Sequence, residues 1–401
     1  MTVIQLKKLP SVSVITTHGK LSIEPLSSQE TIFELLSRSS IPWSAVSIFS
    51  FSDEKQGNRL SNLSAKFSEI DASVKDIQIH FNRNINPEMY NIKNHDISPA
   101  DGTEVSNYLF QAINNEKGNT HNILKGLSQN ECQSIICKNV HDFIRSYVSP
   151  GDVLVVGVSG GGDSNSLLLG LTSFTDFSFD VRPVILKGIP DWDAGVPRAL
   201  ELCKSYGLHL TVVEEEEVRQ ISKLKDSSNI IGQYESIFPG DDFEFLGTYM
   251  IRKVLMHIAS SCNGRAVTGL NLEDVFAESL LMISNKRLPL PFPVRKIDGI
   301  DFIYPLWLCP KKIIDGCFPK FSMENYEMRY PCFSTGRNLY YMMTYTLQSM
   351  YPGALENLLR GFQNISQNNE HGFMSDPDFG SSLNGEIENN IREKFLKIML
   401  P

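Results

Sequence analysis

The sequence predicts an α/β protein, a doubly wound parallel sheet preceded by a smaller α+β unit. Three observations carry this. Val153–Val158 (VLVVGV) is an apolar, largely β-branched run of the kind buried on both faces of a parallel sheet. It opens onto Ser159-Gly160-Gly161-Gly162-Asp163-Ser164 and then a leucine-rich helical stretch, so strand, glycine turn and helix follow one another directly. Beyond that helix, strand and helix patterns alternate, which implies parallel strands joined by crossover helices.

The elements follow in order. Ser11–Thr17 alternates as a strand, His18-Gly19-Lys20 turns, and Leu21–Pro25 returns as a hairpin. Ser28–Thr31 offers helix-start residues, and Ile32, Leu35 and Leu36 form a helical stripe that Ile41-Pro42 ends. Ala45–Phe51 and Val74–Phe81 read as strands, with a short helix allowed in Leu60–Ile70. Hairpin, helix, strand, strand resembles the β-grasp fold, and residues 1–90 are assigned to such a domain. The free C-terminal Gly-Gly of sulfur-carrying β-grasp proteins is absent, which implies a substrate- or partner-binding platform instead. Residues 91–128 are polar and weakly periodic and read as linker and loops. Residues 129–366 form the phosphate-loop domain. It begins with a helix at Gln129–Tyr147 and continues through strands at Val181–Leu186 and Leu208–Val213. Helices at Asp193–Tyr206 and 245–262 alternate with these, and Arg265–Thr268 is a further strand. The acidic run Glu214–Glu217 reads as a solvated face. Residues 367–401 read as a polar tail ending in a helix at Glu386–Met399, suited to docking at a subunit interface such as that of a homodimer.

Bulk properties narrow the class. The 401 residues are 41% hydrophobic and 21% charged, ordinary for a globular protein with two or three domains. No basic region followed by an apolar stretch opens the chain, and no run of about 18 apolar residues occurs, so neither a signal peptide nor a membrane span is expected. The seven cysteines form no CxxC pair and read as reduced thiols, pointing to the cytoplasm. A net charge of −9 weighs against a large nucleic-acid ligand.

The glycine turn carries the chemistry. Glycines let backbone N–H groups approach an anion, and the N-terminus of the following helix carries partial positive charge. The spacing is not that of the Walker loop. A glycine turn without a ligand is the alternative. Ser159, Gly160, Gly161, Asp163 and Ser164 match the SGGxDS loop, and the segment resembles that of the ATP-pyrophosphatase (PP-loop) superfamily, with its HUP/Rossmann-like fold. Members split ATP into AMP and pyrophosphate. The resemblance implies ATP and Mg²⁺ as ligands, with Ser159–Ser164 and Gly269 at the nucleotide and Asp163 at the metal. Gly162 stands where many relatives carry lysine, so the loop supplies no such cation.

A second stretch, Thr268–Ser279, places a glycine after a strand and acids at a helix start, which suits either a phosphate site or a plain helix cap. It resembles the GHxxDD…ET segment of the tRNA-thiolating and lysidine-forming branch. Gly269, Glu273 and Asp274 fall on its glycine and acids, Asn271 matches a GHN variant, and Leu270 replaces the histidine. Ile303–Leu306 with Lys312 resembles that branch's IRPL…K turn, with Tyr304 for arginine. Tyr351-Pro352-Gly353 and Gln363-Asn364 resemble the YPG…QN ending of the tRNA 2-thiocytidine synthetase group.

The departures bear on sulfur. Members of that group hold a [4Fe–4S] cluster through a CxxC on the helix before the fourth strand. Here Phe245 and Thr248 occupy those positions, so no Fe–S cluster is expected; a new site from Cys309, Cys317 and Cys332 is the alternative. Cys332 matches the later cysteine and is the candidate nucleophile or persulfide carrier, beside its reading as a buried thiol after a proline turn. Asp163 and Asp274 are the candidate catalytic acids. The expected reaction adenylates a carbonyl oxygen of a nucleobase-like or other small amide substrate and replaces it with sulfur, as in thioguanine-type biosynthesis. The sulfur donor would be sulfide or a cysteine desulfurase. A free small molecule is favoured over tRNA. Ligation with a nitrogen nucleophile is the other reading.

Overall fold

The computed structural model describes residues 9–16, 19–39, 41–52, 56–81, 96–98, 106–113, 120–225, 244–284, 286–318, 335–350, 353–367, 393 and 396–398. Its N-terminal unit comprises β1 (Ser11–Thr16), β2 (Gly19–Ile23), α1 (Ile32–Arg38), β3 (Val46–Phe51), β4 (Gln56–Arg59) and β5 (Asp76–Phe81). The strand order is β2-β1-β5-β3-β4, with β6 (Asp96–Ser98) added at the β4 edge. β1 and β5 are parallel neighbours and the other pairs within those five strands are antiparallel. Thr31 and Glu34 form a reciprocal capping box that starts α1. Ile32, Leu35 and Leu36 then bury into the core with Val12, Val14, Ile77 and Ile79. β4 reads Gln-Gly-Asn-Arg and has no apolar alternation; its pairing to β3 is what makes it a strand.

Residues 91–128 depart from the expectation of linker and loops. They contain β6 and a long hairpin, β7 (Ser106–Ile113) with β8 (Thr120–Leu127). Backbone pairing runs from Ser106 opposite Leu127 to Ile113 opposite Thr120, so ladder hydrogen bonds hold a segment whose polar side chains give little periodic signal. Tyr108 and Leu127 anchor it in the core.

The second sheet runs β11-β10-β9-β12-β14-β13. Its strands are β9 (Val153–Gly157), β10 (Asp180–Leu186), β11 (Thr211–Val213), β12 (Arg265–Val267), β13 (Val294–Ile297) and β14 (Ile300–Ile303). All pair in parallel except β13, which returns antiparallel to β14. Leu154, Val155 and Val156 are each 0% exposed; successive strand residues face opposite ways, so both faces of β9 are covered. The covering helices are α2 (Gln129–Tyr147), α3 (Gly162–Thr172), α4 (Pro190–Ser205), α5 (Glu215–Ser222), α6 (Glu244–Ser261) and α7 (Leu272–Ser284). The short α8 (Lys311–Cys317), α9 (Thr335–Met350) and α10 (Ala354–Gln367) complete the unit. The expected strand at Leu208–Val213 contracts to β11, and the helix expected from Asp193 begins at Pro190, where proline suits a first helical turn. Glu214–Glu217 is exposed, at the start of α5.

The chain steps outward from β9 through β10 to β11, then crosses back to β12 on the other side of β9. That reversal opens a crevice at the carboxyl ends of β9 and β12, where open α/β sheets bind ligands. The N-terminal unit docks close to it. Ser44 Oγ donates to the Tyr345 carbonyl at 2.9 Å, Lys312 Nζ donates to the Val46 carbonyl at 2.6 Å, and Trp43 meets Tyr108 edge-on. Ala45 packs with Ala277, Tyr341 and Tyr345. Among the described residues no helix is long and apolar enough to cross a membrane. The expected C-terminal helix falls largely outside the described residues; within it Leu396–Ile398 form a 3-10 turn, and Lys225 Nζ donates to the Lys397 carbonyl at 2.6 Å.

Candidate functional site

The glycine turn is shaped by its own residues and by α4. Ser164 Oγ accepts from the Ser159 N–H at 2.9 Å and lies 3.2 Å from Ser159 Oγ, so the two motif serines close the loop on itself. Gly160 sits at φ +76°, in the left-handed region. A Cβ there would stand 2.7 Å from the Ala199 amide nitrogen and 2.8 Å from Arg198 Cβ. A Cβ on Gly195 would stand 2.9 Å from the Ser159 carbonyl oxygen. Both glycines are therefore dictated by how closely α4 approaches the loop. Gly161 is the N-cap of α3 and Gly162 its first residue. Asp163 follows, in the first turn, where the helix favours a carboxylate.

Asp163 is the meeting point of three segments. Its Oδ1 accepts from Asn271 Nδ2 at 3.0 Å, across the crevice from β12. Its Oδ2 lies 2.5 Å from Lys311 Nζ on α8. Gly269 lies beside it, where a Cβ would meet Asp163 Cβ at an ordinary 3.7 Å. Asn271 is itself fixed, because it and Asp274 exchange reciprocal backbone-to-side-chain hydrogen bonds, each of 3.1 Å, at the start of α7. Tyr341 OH donates to Asp274 Oδ1 at 2.5 Å. The second motif is thus both a helix cap and part of the site: Asp274 holds Asn271, and Asn271 reaches Asp163.

Glu273 and Lys312 lie behind this front. Glu273 is 0% exposed, and its Oε2 accepts from the Lys311 backbone N–H at 2.8 Å, fixing the start of α8. Burial pushes its carboxyl up to about 8, against the lowering effect of that backbone bond. The unfolded chain releases this proton near 4.5, so between about 4.5 and 8 the folded state binds more protons and stability falls as pH rises. Burial likewise pushes Lys312 down to about 7; there the unfolded chain binds more protons up to 10.5, so stability rises with pH from about 7. Glu273→Gln is expected to flatten the lower-pH decline, read as urea-denaturation midpoints across that range. A variant whose midpoints fall as steeply as those of the parent would contradict the assignment.

Lys312, the residue that matches the motif lysine, turns into the protein, whereas its neighbour Lys311 reaches the loop. Adjacent helical positions point in different directions, and the sequence holds no signal for which of two successive lysines faces the site beyond their common place after Pro310. Cys309 and Cys317 are 0% exposed; burial pushes the Cys309 thiol up to about 12 and the Cys317 thiol well above its usual value. Cys332 lies outside the described residues, as do Tyr351 and Pro352. Among the described residues no group of three or more His, Cys, Asp or Glu side chains is arranged to hold a metal ion.

No family model matches the chain, and no curated protein is similar to it. Solved structures are. The U34-tRNA thiolase NcsA from Methanococcus maripaludis, with its [4Fe-4S] cluster, superposes at a TM-score of 0.50 with 16% identity, covering 69% of this chain and 91% of that one. An NH3-dependent NAD synthetase from Campylobacter jejuni matches at 0.34 with 14% identity, over 62% and 99% of the two chains. An NMN synthetase from Francisella tularensis matches at 0.36 with 15% identity, over 63% and 99%. The match to the thiolase shows a shared α/β fold, the fold that the loop's resemblance implied.

One expectation is corrected by the same comparison. The absence of cysteines at Phe245 and Thr248 led to the expectation of no Fe–S cluster, yet the thiolase of this fold carries a [4Fe-4S] cluster. Cluster ligation depends on where thiolates meet in space, so the spacing on one helix does not decide it.

Proposed function

We propose that this chain is an ATP-using, AMP-forming enzyme that adenylates a carbonyl or amide-like oxygen of a small nucleobase-like substrate and replaces it with sulfur. The observation that carries the reading is the convergence of Asp163, Asn271 and Lys311 beside a glycine turn, between the carboxyl ends of β9 and β12. Such a site suits a triphosphate: backbone N–H groups and a helix N-terminus meet its negative charge. The substrate oxygen attacks the α-phosphorus, the bond to the bridging oxygen breaks, and pyrophosphate leaves. Sulfide then adds to the activated carbon, and the C–O bond breaks to release AMP.

The donor set fits Mg²⁺ in its usual form, held by a carboxylate together with substrate phosphates. Asp163 would hold it, and the ion would neutralise phosphate charge. Asp274 acts as a positioning residue through Asn271. Cys332 is kept as the candidate carrier of persulfide sulfur delivered by a cysteine desulfurase, whereas free sulfide adds to the activated carbon directly. The net charge of −9 favours a free base over tRNA as the acceptor.

The test is incubation with ATP, Mg²⁺, sulfide and a panel of free bases, followed by mass analysis of the products. The expected result is AMP together with a base in which sulfur has replaced oxygen. AMP formed only when tRNA is added would overturn the small-molecule reading, and turnover with ammonia but not sulfide would overturn sulfur transfer. Full activity of Cys332→Ser with a cysteine desulfurase and cysteine as the sulfur source would remove that thiol from the chemistry.

A further inference from the structure

We propose that Lys311 is the cation that grips the pyrophosphate portion of ATP, supplied to the site from α8 because the loop has none of its own. This rests on the reading of the site as one that cleaves ATP. Ser159–Ser164 contains no Lys or Arg, and its fourth residue is Gly162. A triphosphate splitting between its α- and β-phosphates gathers negative charge on the departing pyrophosphate, and a nearby fixed cation stabilises that charge. Lys311 Nζ is placed for this, 2.5 Å from Asp163 Oδ2 in the first turn of the loop helix.

The setting of Lys311 suits exchange of partners. Asp315, one helical turn along α8, lies 3.5 Å from the same Nζ and is 1% exposed. Asp315 therefore keeps a counter-charge on the ammonium from within the protein. Asp163 is the more open member of the other pair, its side chain 22% exposed against 10% for Lys311. When phosphate arrives, Lys311 can turn from Asp163 to phosphate oxygen and still keep Asp315, while Asp163 is released for Mg²⁺. The backbone of Lys311 stays fixed throughout by the Glu273 carboxyl. Two other cations of this domain are committed elsewhere. Lys312 is bonded to the Val46 carbonyl, and Arg295 pairs with Glu278 at 2.6 Å.

The test measures binding, by calorimetry on the full chain with Mg²⁺ present, using inorganic pyrophosphate and adenosine as separate probes. Lys311→Met is expected to weaken pyrophosphate binding by about 10- to 100-fold, the range for losing a charge-assisted contact, and to leave adenosine binding unchanged. Lys311→Arg should retain most of the affinity, and Gly162→Lys combined with Lys311→Met should regain part of it by moving the charge into the loop. A purely structural lysine would predict equal losses for both probes and no recovery from the relocated charge, which would overturn the proposal. Lys311→Gln serves the same comparison where the methionine variant does not fold. Pyrophosphate binding by Lys311→Met equal to the parent overturns the role of Lys311 and leaves the ATP reading standing. A parent protein that binds neither pyrophosphate nor ATP overturns both.

Discussion

Asp163→Asn is expected to lower the rate of AMP formation by about 10²- to 10³-fold, the loss typical of removing one preorganised electrostatic group from an active site. The side chain keeps its size, and its remaining carbonyl oxygen can still accept from Asn271 Nδ2, so the crevice stays bridged. The charge facing Lys311 disappears. An amide N–H₂ then stands near the ammonium, and Asp315, 3.5 Å from Nζ, is left to balance it. Leaving a mostly buried cation short of a partner costs about 1–3 kcal/mol of stability, a part that a denaturation curve reads separately from turnover. Turnover within a few-fold of the parent, with the same modest loss of stability, would show that Asp163 serves Lys311 and not the phosphates.

Gly160→Ala is the second change with a large expected effect. Its φ of +76° disfavours any side chain by about 1–2 kcal/mol. The added Cβ would also press on the Ala199 amide nitrogen and Arg198 Cβ, and the backbone atom cannot move aside as a flexible side chain would. The loop and α4 must separate, so the N–H groups that would face phosphate lose their alignment. The expected result is a protein that folds with a lowered melting temperature and binds ATP at least about tenfold more weakly, as a 1 Å misplacement in a positioned site commonly does. Gly299→Ala is the control. That glycine has a φ of +87° and open space around it, so the variant carries the backbone penalty without disturbing the site. Equal ATP affinity in the two variants would contradict the role given to the Gly160 contact.

Much of the central sheet was legible because its signals are local. Leu154, Val155 and Val156 are buried by their composition, and the glycine turn is marked by residue type. The capping boxes at Thr31 and Ser128 follow from hydrogen bonds three residues apart. The hairpin at Ser106–Leu127 was not legible, because its strands are defined by backbone pairing across a segment of mixed polarity. β4 escaped notice for the same reason. At the site, Asp163 and Asn271 belong to motifs that show in the sequence, but they lie 108 residues apart, and only the order of β9 and β12 brings them together. Lys311 is further removed. It stands 148 residues from Asp163 and next to a second lysine, and its direction is set by the start of α8 on the Glu273 carboxyl. The expectation of no cluster rests on Phe245 and Thr248 of one helix, with Cys309, Cys317 and Cys332 weighed only as an alternative, and spacing along a helix does not decide where thiolates meet.

The central claim is that ATP is cleaved between its α- and β-phosphates at the Ser159–Ser164 loop. Phosphorus NMR of ATP incubated with the protein, Mg²⁺, sulfide and the panel of free bases tests it most directly. The account predicts AMP and pyrophosphate in equal amounts, formed by the parent protein and strongly reduced in Asp163→Asn. ADP with inorganic phosphate, or AMP formed equally well by that variant, would contradict it.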